Sequence, residues 1–147
     1  MKKFLLFSFV IVFVGCAHAP LHAAKAEKQK AAARAEENFA TEIYFSSNSY
    51  EVEPSEMALL QQNVSWLKSH PNAVFILEGH CDEWGEDSYN LQLGDLRARE
   101  IKSYLMEQGI NSDRVIMIVS FGESHPLDER HLPDAWRKNR RVEFVLR

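Results

Sequence analysis

The residues from Glu78 to Arg97, EGHCDEWGEDSYNLQLGDLR, gather the side chains of this chain best suited to chemistry. Glu78, His80, Cys81, Asp82 and Glu83 are potential acids, ligands or nucleophiles, and Arg97 is a permanent cation. Before them, Ala73 to Leu77 (AVFIL) is an apolar run of strand length; after them, Leu91, Gly94, Ala98, Ile101 and Leu105 recur at helical spacing. A strand that ends in carboxylates and leads into a helix carrying an arginine sets both signs of charge at one end of a sheet. Such a corner suits a zwitterion. A surface ion pair worth well under about 1 kcal/mol gives the same pattern.

Two other chemistries compete for these residues. Alternate residues on a strand share a face, so His80 and Asp82 can share a metal that Cys81 cannot easily join, and His125 and His131 would have to complete the ligand set from a loop. Cys81 beside a histidine suggests a thiol nucleophile. No oxyanion-hole motif or third orienting residue stands at a recognisable spacing, however, and a small thiol in a strand reads as packing. The expectation is therefore a binding protein without a cofactor, not an enzyme. Trp66, Phe75, Phe121 and Phe144 fall on expected core faces, whereas Trp84 in the polar corner is a contact candidate.

The elements around the corner follow from pattern. Ile43, Tyr44 and Phe45 read as a first strand and Ser46 to Ser49 as a turn. Pro54 and Ser55 mark a helix start, with Met57, Leu60, Val64 and Leu67 as its apolar stripe and His70-Pro71 as its stop. The strand 73–78 follows; Asp87 or Ser88 is expected to cap the next helix, and Gly109 to end it. Val115 to Phe121 (VIMIVSF) reads as a buried strand. A polar loop over 123–135, a short helix through Trp136 to Asn139 and an alternating strand Arg141 to Leu146 complete the order. The fold class is mixed α/β, a single β-α-β-α-β-(short α)-β domain with one mixed sheet and helices packed on a face.

The 147 residues divide into three parts: 1–15, 16–39 and a domain over 40–147. The opening MKK and FLLFSFVIVFV have the form of a signal peptide, too short for a typical membrane span. Phe13-Val14-Gly15-Cys16 resembles a bacterial lipobox, with Phe13 in place of the usual leucine, and implies lipidation at Cys16. Several acyl chains would anchor the chain stably, where one would not. Ala17 lacks the aspartate that commonly retains a lipoprotein at the inner membrane, which implies the outer membrane and a domain facing the periplasm. Residues 17–38, rich in Ala, Lys and Glu, read as a tether, reaching about 70 Å if about twenty residues are extended. Of the two cysteines, lipidation of Cys16 leaves Cys81 unpaired, so no disulfide framework is implied. The net charge is −4, and loss of Lys2 and Lys3 with the signal makes it more negative. Such a chain does not bind nucleic acid or anionic lipid by bulk charge.

Residues 43–147 resemble the peptidoglycan-associated lipoproteins and, more widely, the C-terminal domain of outer-membrane protein A. The matching segments are EGHCDEWG (78–85), YNLQLGDLRA (89–98), SFGESHP (120–126) and KNRRVEF (138–144). The glycine of LQLG and the lipobox point to the lipoprotein branch. The resemblance implies non-covalent binding of peptidoglycan through the diaminopimelate of its stem peptide. Asp82 would meet the ammonium and Arg97 the carboxylate, with Leu93 lining the pocket and Asn139 and Arg141 in support. Arg140 and Lys138 read as a solvated face. The family's usual Phe and Asp in the first turn are Ser47 and Asn48 here, so the pocket keeps a hydrogen-bonding side chain there without its charge. Tol-system proteins, acting in envelope constriction, are the implied protein partners. The competing expectations are a protein-interaction adaptor with weakened or lost wall binding and a metal- or thiol-dependent envelope enzyme.

Overall fold

The computed structural model describes residues 39–147; the expected signal segment, Cys16 and the tether lie outside them. Four strands form one sheet in the order β1-β4-β2-β3. These are β1 (Glu42–Tyr44), β2 (Phe75–His80), β3 (Val115–Gly122) and β4 (Arg141–Leu146). β4 runs antiparallel to both β1 and β2, while β2 and β3 are parallel, so the sheet is mixed. Between the strands lie α1 (Met57–Ser69), α2 (Asp87–Glu107), a 3-10 turn (Ser112–Arg114) and α3 (Pro133–Asn139). No helix among the described residues is long and apolar enough to cross a membrane.

Period-two alternation puts Ile43, Phe75, Leu77, Val142 and Phe144 on one face of the sheet, where they meet Leu60 and Leu67 of α1 and Ile101 and Leu105 of α2. On α1 the buried face also contains Asn63. Its amide accepts from the Ala40 N–H at 2.8 Å and donates to the Ala40 carbonyl at 2.8 Å, so a fully buried polar group is satisfied and ties down the entry of the domain. At the far end of α1, Arg114 donates to the carbonyls of Leu67, His70 and Ala73 at 2.6–2.8 Å. It satisfies acceptors that a helix C-terminus leaves free.

The expected cap of α2 is displaced by one residue: Glu86 holds the cap position in extended conformation, and Asp87 sits in the first turn. There its charge complements the positive end of the helix. The stop is as expected, with Gly109 at φ +85°. The larger correction concerns β3. It is an edge strand, and Ile116 and Met117 are more than half exposed. Val115 is buried and Ile118 is packed against the core, while a register shift leaves Ile116 unpaired between Val115 and Met117. An apolar run shows that a strand forms; it does not show how many neighbours the strand has.

Candidate functional site

The corner is made where the turn after β1, the end of β2 and the start of α2 meet. Arg97 lies at its centre and is fully buried. Its Nε donates to the Ser49 carbonyl at 2.8 Å, Nη1 to the His80 carbonyl at 2.8 Å, and Nη2 to the Ser46 carbonyl at 3.0 Å. Its guanidinium also stands 5.3 Å from the centre of the Phe45 ring. Burial lowers the pKa of Arg97, with nearby Cys81 and Asp82 acting in the opposite sense. One side chain thus joins helix, strand end and turn.

The turn is held a second time by Asn48, which occupies the left-handed region at φ +54° and accepts a hydrogen bond from the Tyr89 hydroxyl. Asparagine tolerates that conformation better than most residues. Ser47, beside it, is exposed.

Asp82 is brought to the same corner, but its partner is not Arg97. Its carboxylate pairs with Arg140 Nη1 at 2.9 Å and accepts from the Trp84 N–H at 3.3 Å. Arg140 also donates from Nε to the Phe45 carbonyl at 3.0 Å. The expected solvated role of Arg140 is therefore corrected: it is a mostly buried partner of a site carboxylate. Lys138 stays exposed, as expected of a solvated face, and pairs with Asp128 at 3.2 Å.

The remaining expected residues divide by position. Leu93 is buried on α2 outside the main apolar cluster. Asn139 binds the Asp128 backbone at both its N–H and its carbonyl, at 2.9 and 2.8 Å, and so fixes the loop before α3. Arg141 pairs with Glu143 at 3.4 Å on the opposite sheet face, with Nε and Nη1 buried and without partners. Sequence reasoning missed Asn90, whose buried amide donates to Glu123 at 2.5 Å and to the carbonyls of Asp82 and Trp84 at 3.3 Å. The signal available for it was its place on the buried side of α2, one turn before Gly94.

A groove of about 360 Å³ opens beside the corner, lined by Cys81, Glu83, Glu123, Asp128, Trp136 and Asn139 among others. It borders Asp82 in sequence but is not lined by Asp82 or Arg97. Glu83 accepts from the Trp136 indole N–H at 2.6 Å and pairs with His131. Trp84, 62% exposed, meets Trp136 edge-on with ring centres 5.2 Å apart.

The thiol reading loses its chemistry here. Cys81 is 2% exposed, and burial pushes its pKa up to about 11, so the thiol is protonated and covered at neutral pH. The competing metal set of His80, Asp82, His125 and His131 is not assembled. Among the described residues, His80 instead clusters with Glu78 and Glu143.

The OmpA family model matches residues 44–140, which span the corner, Asp82, Arg97 and strands β2 and β3. The chain belongs to the OmpA family. Within it, the chain is 38% identical over 104 residues to the peptidoglycan-associated lipoprotein of Pseudomonas aeruginosa, covering 71% of this chain and 61% of that protein. It is 33% identical over 109 residues to the protein of the same name from Rhizobium meliloti, covering 74% and 61%. The chain thus spans about three fifths of the length of these curated relatives. Among solved structures it is similar to the peptidoglycan-associated lipoprotein of Burkholderia pseudomallei, with 36% identity, a TM-score of 0.69, and coverage of 74% of this chain and 91% of that one. The OmpA-like domain of FopA1 from Francisella tularensis, at 19% identity and a TM-score of 0.63 over 72% of each chain, shares the fold. The names of the first three describe a lipoprotein associated with peptidoglycan.

Proposed function

We propose that this OmpA-family chain is an outer-membrane lipoprotein, anchored through Cys16, that binds peptidoglycan non-covalently and links the envelope to the wall. The ligand is the diaminopimelate of the stem peptide, whose free end carries an ammonium and a carboxylate. The observation that carries this reading is the placement of Asp82 and Arg97 at one corner, each held by hydrogen bonds to the surrounding backbone. Asp82 takes the ammonium. The Ser46 and Ser49 carbonyls occupy acceptor positions on Arg97 that a ligand carboxylate would take, so binding exchanges two main-chain acceptors for one charged fork-shaped acceptor. Tol-type periplasmic proteins are the proposed protein partners.

Asp82→Asn keeps the shape of the side chain and removes its charge. A charge-assisted contact is worth about 1.5–3 kcal/mol, so retention on diaminopimelate-containing sacculi is expected to weaken at least about tenfold; loss of the buried pair with Arg140 also lowers the melting temperature, so retention is compared below the variant's own transition. Retention equal to that of the unaltered chain would remove Asp82 from the site.

A second reading rests on the first turn. With Ser47 and Asn48 present, that turn offers no charge, and the side-chain oxygen of Asn48 is already engaged by Tyr89. Wall binding lost through this change would leave a protein-interaction adaptor.

A further inference from the structure

The sheet face turned away from α1 and α2 carries an arrangement of charge that wall binding at the corner does not use. Glu143 of β4 is in direct register with Glu42 of β1 on one side and with Glu78 of β2 on the other. Directly paired residues share a face, so three carboxylates form one row across three strands, with neighbouring side chains about 5 Å apart. Like charges set directly opposite one another destabilise a sheet. Among the described residues, Arg141 is the cation within ion-pair distance of the row, and its contact with Glu143 is a long 3.4 Å. Three carboxylates against one guanidinium leave two negative charges uncompensated.

His80 stands two residues beyond Glu78 on the same strand and the same face. It is 2% exposed, and neither ring nitrogen makes a hydrogen bond of normal geometry, the nearby His125 backbone acting only weakly on the ring. A buried imidazole left without a well-formed partner is costly and rare in folded proteins. The ring is stacked on Phe121 with centres 5.4 Å apart, so packing sets its orientation. A His80 ring nitrogen and carboxylate oxygens of Glu78 and Glu143 all lie within 4.8 Å of one another.

We propose that Glu78, His80 and Glu143 form a divalent-metal site, of the class that takes zinc, on the open face of the sheet. Zinc takes both imidazole nitrogen and carboxylate oxygen, and three protein ligands leave it an open position. A divalent ion matches the two uncompensated charges of the row, and modest side-chain rotation brings ligand atoms that now span up to 4.8 Å to about 2.0–2.2 Å from one ion. Glu78 and Glu143 are each only partly buried, which leaves the ion a path from solvent.

The test is a zinc titration of the full-length chain in detergent by calorimetry, with the His80 ring nitrogens followed by NMR. The expected result is one saturable equivalent per chain, a shift of a His80 ring nitrogen, and binding at least about tenfold weaker in Glu78→Gln and in Glu143→Gln. Both substitutions fall on partly exposed side chains, and far-UV circular dichroism verifies that the fold is kept. Absence of saturable binding overturns the proposal. So does binding that is equally tight in both glutamine variants with the shifts at His125 or His131, which would mark an adventitious surface site.

Discussion

Arg97→Ala is expected to lower the stability of the domain by about 3 kcal/mol and to abolish retention on sacculi in the same variant. The size follows from what the guanidinium satisfies. The His80 carbonyl, at the end of a central strand, loses its arginine partner and has no route to water, whereas the Ser46 and Ser49 carbonyls belong to an exposed turn and can be solvated once freed. The total therefore lies below the sum of three broken charge-assisted bonds. At about 4–8 °C per kcal/mol for a domain of this size, the melting temperature falls by about 12 °C or more. Arg97→Lys retains the charge but not the fork, reaches fewer of the three carbonyls, and is expected to fall between the two. Thermal unfolding followed by circular dichroism, with proteolysis of the 46–53 turn, checks both variants. A fully stable Arg97→Ala protein would show that the guanidinium does not hold the corner together. Because loss of binding and loss of order coincide at Arg97, the charge-only variant at Asp82 is the cleaner probe of the ligand.

Gly79→Ala is expected to prevent folding, at a cost above about 4 kcal/mol. A Cβ at Gly79 would stand 1.9 Å from the Gly94 carbonyl oxygen and 2.5 Å from its carbon, both of them helix backbone that cannot turn aside. The reciprocal change is milder in kind. A Cβ at Gly94 meets the Ser120 hydroxyl at 2.3 Å, a movable group, and the Gly79 carbonyl oxygen at 3.0 Å. Ser120→Ala is therefore expected to recover part of the stability lost in Gly94→Ala and none of that lost in Gly79→Ala. Equal behaviour of the two glycines in a double-mutant comparison would contradict this account of the crossing. The crossing matters to the proposed site because Gly94 lies between Leu93 and Arg97 on α2, so the distance between helix and strand sets where those side chains stand relative to Asp82.

Much of this framework is legible in the chain. The alternation of 141–146 reproduces β4 to the residue, and the apolar stripe of α1 and the stop at Gly109 reflect local rules that tertiary contacts reinforce. What escaped sequence reasoning depends on neighbours. VIMIVSF has the composition of a covered strand, yet its place at the sheet edge is set by strand order, which no local pattern encodes. In RKNRR, five adjacent polar residues give no sign of which guanidinium turns inward. Arg140 does so because it falls between the end of α3 and the start of β4, where the chain crosses the corner. That Asp82 and Arg97 would stand at one corner was legible in the sequence, and their partners were not. Arg97 proves to be bound to backbone and Asp82 to Arg140, so neither meets the other directly.

The turn at Ser47 and Asn48 is where the proposed wall binding meets its strongest challenge, since it supplies hydrogen bonds without charge. The direct measurement is retention of the full-length chain, in detergent, on purified diaminopimelate-containing sacculi, with and without free meso-diaminopimelate as competitor. Saturable retention that the free amino acid displaces is the predicted result. A well-folded chain that stays in solution, or one whose retention the competitor leaves unchanged, would contradict the assignment of diaminopimelate to the Asp82–Arg97 corner.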